Sequence, residues 1–202
     1  MDWFRARLRY DLVDFSTLPI RLTLERYLLK DLSKDKWFFI GCTMLYDLCR
    51  AIKPSLVVET GVADGFSSFF ILKALDENRE GYLYSIEKPD LRYLDGKESG
   101  WVVPQVYRRR WNLIMDSSEH ALPQLLNELG KIDFFLHDSI HSYRNMLFEL
   151  CTAWKHLRHG GYLMADGVLE NMAFLHFCRM NGTRPSNFRI GTGRYIGLIR
   201  KH

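Results

Sequence analysis

The feature that most narrows the possible folds is an alternation. From residue 55 the chain alternates short apolar runs with longer segments of helical period. Strands are expected at 55–59, at 81–87, within 104–115, at 131–137 and at 162–165. Helices are expected at 66–77, 119–129 and 142–157, the last ended by Gly160 and Gly161. Such alternation calls for parallel strands joined by right-handed helical crossovers, an α/β architecture. The end breaks the rhythm. After a helix at 171–180, two strand-like stretches, 187–190 and 194–200, flank Gly191-Thr192-Gly193. They read as a hairpin that adds an antiparallel edge to the sheet.

Ahead of the sheet, Leu18, Leu22, Tyr27 and Leu29 fall on one amphipathic surface, with Pro19 as a helix entry. A second helix at 37–52 stops before Pro54. The expected organisation is a helical cap, 1–53, followed by one α/β domain, 54–202. At 202 residues, 47% of them hydrophobic, the chain can bury a full core without disulfides or metals. Cys42, Cys49, Cys151 and Cys178 form no Cys-x-x-Cys pair and sit in apolar helical contexts. Buried free thiols and a reducing, cytoplasmic compartment are expected. No signal peptide is visible, and no run approaches the roughly 20 apolar residues a membrane helix needs. The net charge of +4 is mildly basic, and its densest cluster is Arg108-Arg109-Arg110. A nucleic-acid partner would want a longer stripe and is disfavoured.

The first strand runs into Glu59-Thr60-Gly61-Val62-Ala63-Asp64-Gly65-Phe66-Ser67-Ser68. Glycines between a strand and a helix let the backbone turn tightly and approach a ligand. The helix start behind them offers free N–H groups. A dinucleotide site wants Gly-x-Gly-x-x-Gly; here the pattern is Glu-x-Gly-x-x-x-Gly. Glu59 at the strand end disfavours a phosphate and favours a cation, such as the ammonium and sulfonium of S-adenosylmethionine. Glu87 ends the next strand, where an acid can accept hydrogen bonds from ribose hydroxyls. Turn and acid together point to an adenosine-type cofactor.

Val58 to Gly65 together with Ser85-Ile86-Glu87 resembles the first two motifs of the class I S-adenosylmethionine-dependent methyltransferases, and in particular their small-molecule O-methylating members. Met115-Asp116-Ser117, before a helix holding Leu122-Pro123, is similar to the family segment beside the adenine. Residues 136–143 and 160–166 are similar to the ends of its fourth and fifth strands. The resemblance covers 54–200. It implies a Rossmann-like, doubly wound, mostly parallel seven-stranded sheet with an antiparallel C-terminal strand. It implies that Glu59, Gly61 and Gly65 surround the methionine part of the cofactor, with Ala63, Asp64 and Ser67 in the same turn. Glu87 would bind the ribose, and Asp116 and Ser117 would meet the adenine.

Ligands gather at the C-terminal ends of parallel strands, and His137, Asp138, Ser139 and His141 cluster at one such end, with Asp166 at the next. Methyl transfer to a hydroxyl needs alignment and a proton acceptor, for which Asp138 and His141 are the candidates. His137 and Asp138 are further candidates to touch the cofactor. Related O-methyltransferases bind magnesium at these strand ends through carboxylates, with an acid or amide directly after the second Asp. Asp138 and Asp166 could hold such an ion, but Gly167 follows Asp166 and offers no side chain; Glu170 and Asn171 are the nearby substitutes. The acceptor is expected to be a small molecule carrying a hydroxyl. The loop 88–100, with Tyr93 and then Trp101, could shape its pocket, and a homodimer contact through the N-terminal helices stays open. A nicotinamide-dependent oxidoreductase, a non-catalytic cofactor-binding module and a nucleic-acid methyltransferase are the rival readings.

Overall fold

The computed structural model describes residues 32–89, 96–190 and 193–202. The expected helix carrying Leu18, Leu22, Tyr27 and Leu29, the residue Tyr93, and the turn at 191–192 lie outside the described residues. The chain divides into two compact units, Met1–Asp35 and Lys36–His202, and the sheet belongs to the second.

Seven strands make one sheet: β1 (Leu56–Thr60), β2 (Tyr82–Glu87), β3 (Trp111–Met115), β4 (Ile132–His137), β5 (Leu157–Ala165), β6 (Ser186–Arg189) and β7 (Tyr195–Arg200). Their order is β3-β2-β1-β4-β5-β7-β6. The first five run parallel, β7 is antiparallel to β5, and β6 is antiparallel to β7. This is the Rossmann-like sheet with a reversed C-terminal strand that the sequence led us to expect. Central β1 is rich in β-branched residues and buried from Val57 to Thr60, as a strand covered on both faces should be. Between β1 and β4 the strand order changes direction, and such a switch point opens a crevice at the C-terminal strand ends.

Five described helices cover the sheet: α1 (Leu32–Ile52), α2 (Phe66–Asn78), α3 (Ser118–Leu129), α4 (Tyr143–His156) and α5 (Ala173–Met180). On α1, Cys42, Leu45 and Cys49 recur at helical spacing and are buried. Met146, Leu150 and Ala153 of α4 share one core with Phe174 and Phe177 of α5, where Trp154 meets Phe177 edge-on at 5.4 Å. Each such fully buried large side chain contributes roughly 1.5–3 kcal/mol. At the opposite end of the sheet, Asp133 explains its own burial: it accepts the N–H groups of Ser55 and Leu56 at 2.7 Å each and pairs with Arg158 at 2.6 Å.

One local expectation is corrected. Gly160 and Gly161 do not end α4, which stops at His156; they lie inside β5. Their backbones pair with Lys201, Gly160 donating at 2.7 Å and Gly161 accepting at 2.9 Å, while the ladder to β4 shifts register. An irregular stretch of an interior strand, not a helix cap, uses these glycines. The third strand falls within 104–115 as expected, at its end, after turns and a 3₁₀ segment at Arg108–Arg110. The three arginines are spent locally: Arg108 donates to the carbonyls of Gly100 and Val103, Arg109 pairs with Asp76, and Arg110 donates to Gly81. The four cysteines are free, three of them buried, and burial pushes the thiols up so that they stay protonated. Among the described residues no helix is long and apolar enough to cross a membrane.

Candidate active site

The turn between β1 and α2 is built on left-handed backbone at Gly61, Ala63 and Gly65. A Cβ at Gly61 would overlap the Asp138 carbonyl oxygen and stand 2.9 Å from the Ser139 Cα. That close approach needs glycine. It also fixes the turn against the loop after β4, whose Asp138 N–H donates to Thr60 at 2.9 Å. Glu87, at the end of β2, accepts the N–H groups of Val62 (2.5 Å) and Ala63 (2.8 Å) and so holds the turn from the other side. Residues 100–102 close over it: Gly100 donates to Ala63, and the Trp101 indole donates to Asp64 at 2.5 Å.

A cleft of about 640 Å³ opens above this turn. Gly61, Ala63, Asp64, Gly65, Ser67, Glu87, Ser117 and Asp138 all line it. Glu59 does not. It is fully buried beneath the turn, accepting the hydroxyls of Ser67 (3.2 Å), Ser68 and Ser85 (2.6 Å). Burial raises its pKa from 4.5 to about 7, against the opposing pull of those serines. Asp116 is also off the cleft wall. Its carboxylate takes His120 and the Ser117 N–H at the start of α3, and these bonds hold it below the usual carboxylate range.

At the end of β4, His137 is fully buried, with Nδ1 2.6 Å from Glu149 and Nε2 lacking any partner. Glu149 also accepts Thr60 (2.5 Å), Ser139 (2.8 Å) and Asn145 (3.0 Å). Burial pushes Glu149 up, but the bonds from His137 and its neighbours outweigh it and hold the carboxylate low. Asp138 lines both the cleft and a second cavity of about 40 Å³, shared with Asp166, Arg194 and the apolar side chains of Leu45, Met164 and Ile196. Desolvation and the charge of Asp166 raise Asp138 well above the ordinary carboxylate value. One ligand atom each from Asp138, His141 and Asp166 lies within 4.8 Å of the others. Glu170 meets His141 Nδ1 at 3.0 Å, and Arg194 donates to Asp166 Oδ2 at 2.8 Å. Asn171 donates to the His141 carbonyl and accepts the Ala173 N–H, so its amide is committed to the start of α5.

Glu149, Asn145 and Arg194 were not singled out from the sequence. Glu149 left a readable sign: an acid inside the apolar stripe formed by Met146, Leu150 and Ala153. Arg194 left none, because only the returning β7 brings it to Asp166.

The sheet order, glycine turn and strand-end acids together define the class I methyltransferase architecture. A family model described as a methyltransferase domain matches residues 58–168, more than half of the chain. The chain belongs to that family, and the resemblance to class I S-adenosylmethionine-dependent methyltransferases holds; the dinucleotide alternative gives way to it. No curated protein matches the sequence. Solved structures share the fold at low identity. The O-methyltransferase from Bacillus cereus in complex with SAH is 14% identical, with a TM-score of 0.61 over 89% of this chain and 97% of that one. The SAH-bound methyltransferase PaMTH1 of Podospora anserina is 12% identical, with a TM-score of 0.64 over 92% and 88%. The O-methyltransferase TomG from Streptomyces achromogenes, involved in tomaymycin synthesis and in complex with SAM, is 14% identical, with a TM-score of 0.61 over 80% of each chain.

Proposed function

We propose that this methyltransferase moves the methyl group of S-adenosylmethionine to a hydroxyl of a small molecule. The observation that carries the reading is the continuity of the cleft, which runs from the glycine turn past Glu87 and Ser117 to Asp138. Two of the solved structures sharing the fold are O-methyltransferases in complex with SAM or SAH. The bound cofactor supplies a methyl group already activated on a sulfonium. The backbone of Gly61 to Gly65, with Ser67, holds its methionine end. Glu87 accepts the ribose hydroxyls, while Ser117 meets the adenine and Asp116 sets the start of α3 behind it. Glu59 acts from below, through Ser67. Holding donor and acceptor in line contributes several kcal/mol.

Asp138 takes the acceptor's hydroxyl proton, because it lies where the cleft meets the second cavity. His141 stands beside it, one ring nitrogen lying within 4.8 Å of an Asp138 oxygen, and His137 is a buried prop behind both. The donor set fits a divalent cation: Asp138 and Asp166 offer oxygens, and Asp166 Oδ1 is buried without a partner. Such an ion would supply positive charge beside the acceptor oxygen. A homodimer contact through the segment before Pro54, and a cytoplasmic setting that the free thiols suit, belong to the same reading.

The test is calorimetric titration of the full chain with S-adenosylmethionine, then SAH formation across a panel of hydroxylated small molecules. Asp138→Asn is expected to keep donor affinity within about 3-fold while turnover falls by roughly 10²–10⁴-fold. A folded chain that does not bind S-adenosylmethionine overturns the reading; full turnover by Asp138→Asn removes Asp138 from the proton step.

A further inference from the structure

Gly167 is the residue that seemed to weaken a metal site, since it follows Asp166 and has no side chain to offer. Its surroundings reverse that argument. Its φ is +64°, and a Cβ built there would overlap His141 Nδ1 and stand 2.7 Å from Cε1 and 3.0 Å from Cγ. The His141 ring fills the space that a side chain at 167 would need. Glycine at 167 is what lets an imidazole enter the cluster.

The ring is also set up to give one nitrogen away. His141 Nδ1 is engaged by the Glu170 carboxylate at 3.0 Å, which fixes the proton on Nδ1 and leaves a lone pair on Nε2. Nε2 is buried and has no partner. Metal-binding histidines ordinarily donate their second N–H to a carboxylate in this way. Asp166 adds a second, independent sign. Its side chain is 9% exposed, and Oδ1 is buried with no partner although Oδ2 takes Arg194. Asp138 completes the group.

We infer that Asp138, His141 and Asp166 form a three-ligand site for a nitrogen-accepting divalent transition-metal ion, with His141 in the place that a side-chain oxygen at residue 167 would otherwise take. Glu170 positions His141 and is not a ligand. The donor chemistry decides the ion. Two carboxylates alone suit magnesium, whereas an added imidazole favours cobalt, zinc, iron or manganese over it. The inference deepens the metal part of the reading above but needs neither the methyl donor nor the acceptor.

The experiment titrates the untagged, chelator-treated full chain with Co²⁺, followed by visible absorption, and with Mg²⁺ and Zn²⁺ by calorimetry. S-adenosylmethionine binding is measured on the same samples. One Co²⁺ per chain is expected, bound at least about 100-fold more tightly than Mg²⁺, with His141→Asn weakening Co²⁺ by a similar factor and leaving Mg²⁺ within about 3-fold. Glu170→Gln should weaken Co²⁺ by about 10-fold, as loss of a positioning carboxylate does. His141→Ala repeats the ligand test should the Asn variant fail to fold. Equal affinity for Mg²⁺ and Co²⁺, Co²⁺ binding untouched in both His141 variants, or no metal bound overturns the site. If S-adenosylmethionine still binds in those cases, the functional reading survives alone.

Discussion

The two sides of the sheet's C-terminal end are finished differently. On the β1–β2 side the acids are occupied: Glu59 takes three serine hydroxyls and Glu87 takes two backbone amides. On the β4–β5 side, Nε2 of His137, Nε2 of His141 and Oδ1 of Asp166 are buried without partners. Most buried polar atoms in folded proteins are satisfied, so each exception asks for an explanation. The β1–β2 side, the proposed donor half, is a backbone turn held by its own hydrogen bonds. The β4–β5 side, the proposed acceptor half, keeps bonding capacity in reserve.

Two buried glutamates, one in each half, give the largest test of this contrast. Glu149 supports the acceptor half by joining His137, Thr60, Ser139 and Asn145. Glu149→Ala leaves His137 Nδ1 and the Thr60 hydroxyl buried and unpaired, and should destabilise the protein by about 3–5 kcal/mol, read by urea unfolding at pH 7. A loss under about 1 kcal/mol would mean that this half is not held together by the carboxylate.

Glu59 predicts the next largest effect, with the opposite sign in pH. Its folded pKa, about 7, lies above its ordinary 4.5. The folded state therefore binds the proton more tightly than the unfolded chain does. Its contribution is fully present below pH 4.5 and is lost as pH rises toward 7. The loss amounts to about 3 kcal/mol at about 1.4 kcal/mol per pH unit. Glu59→Gln should remove this fall while keeping hydrogen bonds to the serines, so the variant gains on the wild type between pH 4.5 and 7. Parallel stability–pH curves for the two proteins would sink the argument. Glu149 runs the other way: its folded pKa is lowered, so its stabilisation is present above the ordinary carboxylate range and lost as pH falls.

The contrast also explains what the sequence could reveal. Gly61, Gly65 and Glu87 were legible because a tight turn and a strand-end acid are local demands, each answered within a few residues. The strand–helix rhythm was legible for the same reason, and the hairpin at the end was marked by its glycines. The acceptor half depends on residues far apart in the chain. Arg194 reaches Asp166 only because β7 turns back along β5, and the His141 ring fits only because Gly167, on another loop, leaves room. Glu59 was read as a cofactor contact from its position at a strand end. That position is shared with Glu87, but the side chains of Ser67, Ser68 and Ser85 draw Glu59 under the turn instead.

The smallest predicted effect probes the finished half. The Trp101 indole donates to Asp64, and Lys97 lies 3.7 Å over the Trp101 ring, so residues after the long loop are fastened onto the glycine turn. Trp101→Phe keeps an aromatic ring and deletes the donor. Asp64 is only half-buried, and water can replace the lost bond there. The destabilisation should therefore stay near 1 kcal/mol, a fall in Tm of about 2–4 °C for a chain of this size. Donor affinity should drop only a few-fold, because the Glu87 bonds still hold Val62 and Ala63 in place. A loss of S-adenosylmethionine binding in a folded Trp101→Phe protein would show that the cradle is not self-sufficient. The donor half would then depend on the loop above it as much as the acceptor half depends on Glu149.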